Sequence, residues 1–175
     1  MKKQVNYGLI WSFVVIFLVL LFDQILKIWV KTNMSLDDPN GIPLLGNWFK
    51  LQFIENDGMA FGLLSEGGFI KLLLSLFRIV AVGVLFWVLV RLSKKNTKFG
   101  VMFGLSLITA GALGNIIDCV FYGKIFHYAG WLHGKVVDMF SLSFFPPIFN
   151  LADAAITVGV FYMIIFQWSW LKSLK

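Results

Sequence analysis

"FNLADAAITVGVFYMIIFQW", residues 149–168, decides how this chain is read. Apart from Asp153 the stretch carries no charge, and a helix needs about 20 apolar residues to cross a bilayer. A membrane span is therefore predicted over 148–170. A carboxylate near its start is costly, on the order of 2.5–3.5 kcal/mol at a helix centre and less toward the interface. Two questions follow: how many other spans there are, and which charges share the depth of Asp153.

Three further apolar runs, at 9–30, 69–90 and 99–122, reach a similar length. The 175 residues are 59% hydrophobic, 17% aromatic and only 14% charged, which excludes an ordinary soluble domain. The reading is an all-α membrane protein, a single polytopic domain over 1–175 with four transmembrane helices. The basic start Met1-Lys2-Lys3 resembles that of a signal peptide. Asp23 and Lys27, however, stand where a small-residue cleavage site belongs, so the first run is read as a retained span.

A net charge of +6 raises nucleic acid as a partner, but the basic residues form no single patch, and none is expected. They sort by topology instead. Lys2 and Lys3 precede the first span, Arg91, Lys94, Lys95 and Lys98 join the second to the third, and Lys172 and Lys175 follow the fourth. The positive-inside rule then puts both termini and the middle connector in the cytoplasm. The connectors 31–68 and 123–147 lie outside.

The first outer connector is patterned. "PNGIP" (39–43) has turn chemistry, and "NWFKLQF" (47–53) alternates as a strand, with Phe49, Leu51 and Phe53 on one face. "ENDGMAFG" (55–62) adds an Asp-Gly turn and another apolar stretch. A small extracytoplasmic β-element between spans 1 and 2, resting on the membrane, is expected; an irregular interfacial loop is the alternative. The second outer connector, "HYAGWLHGKVVDMFSLSFFPP" (127–147), is rich in aromatic residues and reads as interfacial. Pro147 is placed to open the fourth helix.

Topology gives each intramembrane charge a depth. Asp23 and Lys27 lie in the outer part of the first span, Arg78 in the outer half of the second, Asp118 near the end of the third and Asp153 near the start of the fourth. All five fall on one side, which implies a polar pocket near the outer surface. Asp23 and Lys27, spaced i, i+4, can serve as a structural ion pair, and Arg78 can snorkel.

Asp118 and Asp153 each follow an asparagine by three residues, in Asn115-Ile116-Ile117-Asp118 and Asn150-Leu151-Ala152-Asp153. On a helix such pairs share a face. Gly104, Gly111 and Gly114 give the third helix a slender side for close packing. Interhelical glue is one use of these polar residues. A second use appears with Asp138 in "GKVVDMF" (134–140), on a connector long enough to fold back against Asp153. Two carboxylates a few ångströms apart do not both ionise easily. One then takes a proton from water while the other, protonated, polarises a carbonyl, which is enough to hydrolyse an amide.

Other chemistries fit less well. His127 and His133 are six apart in a loop without a third ligand, and no His-Glu-x-x-His motif is present; no metal and no cofactor is expected. Cys119, the single cysteine, has no adjacent histidine and reads as apolar filler. Neither a Gly-x-Ser-x-Gly elbow nor a phosphate-binding glycine loop appears.

"NDGMAFG" (56–62), "GALGNIIDC" (111–119), "GKVVDMF" (134–140) and "FNLADAAI" (149–156), in this order on a four-span frame, resemble the lipoprotein signal peptidases, or signal peptidase II. The resemblance covers nearly the whole chain. It implies a bacterial inner-membrane aspartic peptidase that cuts the signal peptide from a prolipoprotein before a diacylglyceryl-modified cysteine. It further implies a site toward the outer face, with lipidated prolipoproteins and membrane lipids as partners and no second subunit. On matching positions Asp138 and Asp153 are the catalytic pair. Asn115, Asp118 and Asn150 line the site, Asn56 and Gly58 meet substrate, and Asp23 and Lys27 give support. The chain departs at Cys119, where many members carry arginine. Asp118 then lacks an adjacent cation, for which Lys124, Lys135 and Arg78 are candidates. The loop 122–135 is also longer than the shortest members need.

The rival reading is a small proton-coupled transporter or channel, for which converging intramembrane carboxylates are also expected. It is disfavoured because the inner halves of spans one, two and four supply no polar residue but Ser12.

Overall fold

A computed structural model describes residues 7–56, 68–95 and 97–173. Helix α1 (Tyr7–Asn33) leads through strands β1 (Ile42–Leu45) and β2 (Phe49–Asn56) to α2 (Gly68–Lys94) and α3 (Phe99–Ile117). A π-helical segment, Asp118–Tyr122, and a single turn α4 (Gly123–Ile125) prolong α3. Strands β3 (Val136–Leu142) and β4 (Phe145–Phe149) precede α5 (Leu151–Phe166) and a short α6 (Trp168–Lys172).

Three described helices are long and apolar enough to cross a membrane: Tyr7–Asn33, Lys71–Lys94 and Phe99–Ile125. At 27 residues α1 is about 40 Å long, enough for a hydrocarbon core of about 30 Å. Half of the apolar window of the third helix is buried inside the protein, against 17% for each of the other two. The third helix is therefore the central one, with α1, α2 and α5 around it. Its glycines explain the close approach of α5. A Cβ on Gly111 would run into the Ala152 carbonyl, and one on Gly104 into the Met163 side chain. The slender side expected from Gly104, Gly111 and Gly114 is where α5 packs.

The fourth apolar run differs from the expected continuous helix over 148–170. Residues 145–149 are strand β4, α5 starts only at Leu151, and the chain breaks at Gln167 before α6. Pro146 and Pro147 explain the start. Lacking backbone N–H groups, they suit an edge strand, and among the described residues β4 pairs only with β3. Pro147 accordingly lies in the strand and opens no helix.

The expected β-element is present but larger, and it draws on both outer connectors. One antiparallel sheet has the order β1-β2-β3-β4. The alternation read in 47–53 is seen in β2, where Leu51 and Phe53 are buried. Gly41, in the turn before β1, takes a φ of +58° that disfavours any Cβ. The second connector contributes β3 and β4 because "VVDMF" packs inward: Val136, Val137 and Met139 are buried. Val30, Leu51, Phe53, Tyr122, Val137 and Met139 form one core cluster. It joins the sheet to the ends of α1 and α3.

Candidate active site

Asp138 and Asp153 are 15 residues apart in sequence and meet because β3, its turn and β4 form a hairpin that delivers the chain to α5. Phe149, the last residue of β4, pairs with Phe140 of β3, so Asn150 emerges beside Asp138. Asn150 is the N-cap of α5, with extended backbone (φ −118°, ψ 179°). It does not share a helix face with Asp153, as the i, i+3 spacing suggested. The two form a reciprocal cap. The Asp153 N–H donates to Asn150 Oδ1 at 2.8 Å, and the Asn150 N–H donates to Asp153 Oδ2 at 3.3 Å.

The rest of the Asn150 side chain reaches the other carboxylate. Its Nδ2 donates to Asp138 Oδ1 at 2.7 Å and lies 3.1 Å from Asn115 Oδ1 and 3.3 Å from the Val137 carbonyl. Asn115 Nδ2 donates to Asp153 Oδ1 at 2.8 Å. From the neighbouring strand β2, Asn56 Nδ2 donates to Asp138 Oδ2 at 3.2 Å. Asn56 pairs with Val136 and Ile54 with Asp138 across the ladder, so Asn56 and Asp138 are diagonal neighbours. Three asparagines thus hold two carboxylates.

Asp138 is only 4% exposed. Burial, and next the negative charge of Asp153, push its carboxyl from the ordinary 3.8 up to about 7, although the Asn56 and Asn150 amides pull the other way. Asp153 lies in the first turn of α5.

Beneath this pair lies a second, fully buried cluster. Lys27 Nζ is 3.0 Å from Asp23 Oδ2, 2.8 Å from Asp118 Oδ2 and 2.9 Å from Asn115 Oδ1. The cation that Asp118 lacks at position 119 therefore comes from α1. None of Lys124, Lys135 or Arg78 supplies it. Arg78 Nη1 lies 3.1 Å from Cys119 Sγ. Asp118 opens the π-helical segment, where the ladder is out of α-register, and nearby carbonyls bind the following loop. Gly134 N–H donates to the Cys119 carbonyl at 2.9 Å and Leu132 N–H to the Val120 carbonyl at 3.2 Å.

Among the described residues, no buried side-chain nitrogen or oxygen lacks a partner. The structure thus brings together Asn56, Asn115, Asn150, Asp118, Asp138, Asp153, Asp23 and Lys27. Gly58, with the Asp-Gly turn of 57–58, lies outside the described residues.

Sequence reading passed over Gln24. Its Nε2 donates to Asp118 Oδ1 at 3.0 Å and Asp23 Oδ2 at 3.1 Å, while its Oε1 accepts from Tyr122 Oη at 3.1 Å. A polar residue inside a span was the signal available for it. Lys31 was missed as well. It pairs with Glu55 and lies 4.6 Å from the Tyr128 ring centroid and 4.9 Å from that of Phe126. This contact fastens β2, one residue before Asn56, to the end of α1.

The family model described as Signal peptidase (SPase) II matches residues 15–169. A lipoprotein signal peptidase of Porphyromonas gingivalis is 40% identical, the alignment covering 86% of this chain and 79% of the relative. That of Amoebophilus asiaticus is 38% identical, with 86% and 75% covered. A solved structure described as "Bacterial membrane enzyme structure by the in meso method at 2.3 A resolution" superimposes with a TM-score of 0.70. It is 28% identical and covers 100% of this chain and 94% of its own.

Proposed function

Because the chain belongs to the signal peptidase II family, a peptidase family that removes signal peptides from prolipoproteins, we propose that Asp138 and Asp153 are its catalytic aspartates. One observation carries this reading: the Asn150 side chain caps the Asp153 backbone and holds the Asp138 carboxylate at 2.7 Å, tying both into one site.

The chemistry follows from the two environments. Asp138, pushed up to about 7, is protonated in a substantial fraction of molecules near neutral pH, and that form donates its proton to the scissile carbonyl oxygen. Asp153, on the N-terminal turn of α5, accepts a proton from the attacking water. Water oxygen bonds to the carbonyl carbon and a tetrahedral intermediate forms. The proton held by Asp153 then passes to the leaving amine as the C–N bond breaks, and the re-forming carbonyl returns a hydroxyl proton to Asp138. No cofactor enters this sequence. Asn115 and Asn150 fix the two carboxylates, and Asn56 fixes Asp138 from the sheet.

The substrate on this reading is a diacylglyceryl-modified prolipoprotein, cut before its lipidated cysteine. Its acyl chains remain in the bilayer, so the scissile bond has to be met at the membrane boundary, where the sheet joins the helix ends. On this reading α5 and α6 together make a fourth span, and the basic residues flanking the spans support cytoplasmic termini with the site at the outer face. No relative reported above is a transporter.

The test is cleavage of a lipidated prolipoprotein by the purified enzyme with a chelator present. Asp138→Asn and Asp153→Asn should each lose turnover by roughly 10²–10⁴-fold, the usual worth of general acid–base catalysis. Because the pair acts as a unit, the double variant should be scarcely slower than either single one. Near-normal turnover in either variant defeats the assignment.

A further inference from the structure

The residue before each proposed catalytic aspartate is held in the same way. Val137 N–H donates to Asp118 Oδ2 at 3.2 Å, and Ala152 N–H donates to Asp23 Oδ1 at 2.9 Å. Asp118 and Asp23 belong to different helices and meet at Lys27 Nζ, at 2.8 and 3.0 Å, with all three side chains fully buried. Gln24 Nε2 bridges the same two carboxylates at 3.0 and 3.1 Å. One ammonium group thus anchors two arms. One arm ends on the β3 backbone beside Asp138, the other on the first turn of α5 beside Asp153.

We infer that Asp23, Lys27 and Asp118 are positioning residues that together set the separation of Asp138 and Asp153. The inference rests on the proposed catalytic pair and goes beyond it. It gives Asp118 a backbone-holding role instead of contact with substrate, and it gives Asp23 and Lys27 more than a local i, i+4 pairing. A buried ion pair is in itself weak support for stability, because desolvation offsets much of its attraction. Small displacements of reacting groups, by contrast, are expensive: about 1 Å can cost roughly 10²-fold in rate.

The hydrogen bonds give a ranked test. Asp23 uses Oδ1 for Ala152 N–H and Oδ2 for Lys27 and Gln24, so asparagine at this position must turn its NH2 toward a donor. Asp118 uses Oδ2 for both Lys27 and Val137 N–H and Oδ1 only for Gln24. The Asp118→Asn variant can keep the first two bonds on its one oxygen and gives up the Gln24 bond, which its NH2 group cannot accept. The Asp118→Leu variant keeps none. Each single variant leaves Lys27 one carboxylate partner, so its ammonium group is not left unpaired.

The measurement is kcat and KM per folded enzyme on a lipidated prolipoprotein peptide. Asp23→Asn and Asp118→Leu should lose roughly 10- to 100-fold in kcat with KM changed by less than about threefold, the signature of misplaced reacting groups. Asp118→Asn should stay within about fivefold of wild type, since its backbone hold survives. Unchanged kcat in folded Asp23→Asn and Asp118→Leu, with only the yield reduced, overturns the inference and returns these residues to a structural role. Equal losses in Asp118→Asn and Asp118→Leu also overturn it, because charge and not the backbone bond would then matter. Failure of the underlying pair would show separately, as retained turnover in Asp138→Asn or Asp153→Asn.

Discussion

Asp138→Asn should abolish cleavage and yet make the protein more stable above neutral pH. The carboxyl of Asp138 has an ordinary value of 3.8 in an unfolded chain and is held at about 7 in the folded one, by burial first and by Asp153 second. Between those two values the folded state binds the additional proton. The stability this group contributes is therefore complete below 3.8 and is lost as pH rises through about 7. At about 1.36 kcal/mol per pH unit the loss reaches about 4 kcal/mol by pH 8, as an order of magnitude. Asparagine does not ionise and avoids that loss. Its NH2 must, however, face one of the two amide donors, Asn56 or Asn150, which costs about 1–3 kcal/mol. The variant should thus be about 1–3 kcal/mol more stable than wild type at pH 8 and less stable by a similar amount at pH 4. For a chain of this size each kcal/mol moves the melting temperature by about 2–4 °C. The assay is thermal unfolding of both proteins in one detergent at pH 4, 6 and 8, at a fixed scan rate. A melting difference that stays the same at all three values would refute the reasoning, because the carboxyl would then not be kept from ionising by its surroundings.

Three further outcomes are expected. Reporter fusions after Lys98 and Lys175 should read as cytoplasmic and fusions near Lys50 and Lys135 as external; an external signal at Lys98 would reverse the orientation. Cys119→Ser should keep near-wild-type turnover, because the proposed chemistry never uses sulfur, and loss of activity in folded protein would reopen thiol catalysis. Gly134→Ala should sharply reduce the yield of folded enzyme in gel filtration, since its Cβ would collide with the Asp118 and Cys119 carbonyls at the π-helical segment. A well-folded Gly134→Ala protein would mean that this loop docks differently.

The helices were legible because hydropathy alone marks apolar runs of about 20 residues. The carboxylates were legible because charge is so costly at their depth that Asp23, Lys27, Asp118 and Asp153 had to converge. The second connector was harder. In "SLSFFPPIF" the aromatic residues and Ile148 look like lipid-facing surface, whereas Phe149 pairs with Phe140 in a hairpin whose other neighbour, β2, is distant in sequence. That also hid the true start of α5 and with it the capping role of Asn150, which spacing alone assigned to a helix face. The cation for Asp118 was sought beside it or outside the membrane, and it came from Lys27 because α1 packs against the end of α3. Gln24 stood next to a recognised aspartate, but only three-dimensional contact shows that it touches two carboxylates at once.

The sheet has one more consequence, for the order in which the enzyme is made. Asn56 of β2 pairs with Val136 of β3, 80 residues further along the chain. At about 5–20 residues per second, β2 is synthesised roughly 4–16 s before its partner exists. During that interval α2 and α3 are being inserted and the β1–β2 hairpin waits with one edge open. Asp138 then arrives on β3, and Asp153 comes last, completing with Asn150 the reciprocal cap of α5. On the proposed catalytic pair, a nascent chain has no hydrolytic site until Asp153 has been made, and a truncation before residue 153 should lack activity.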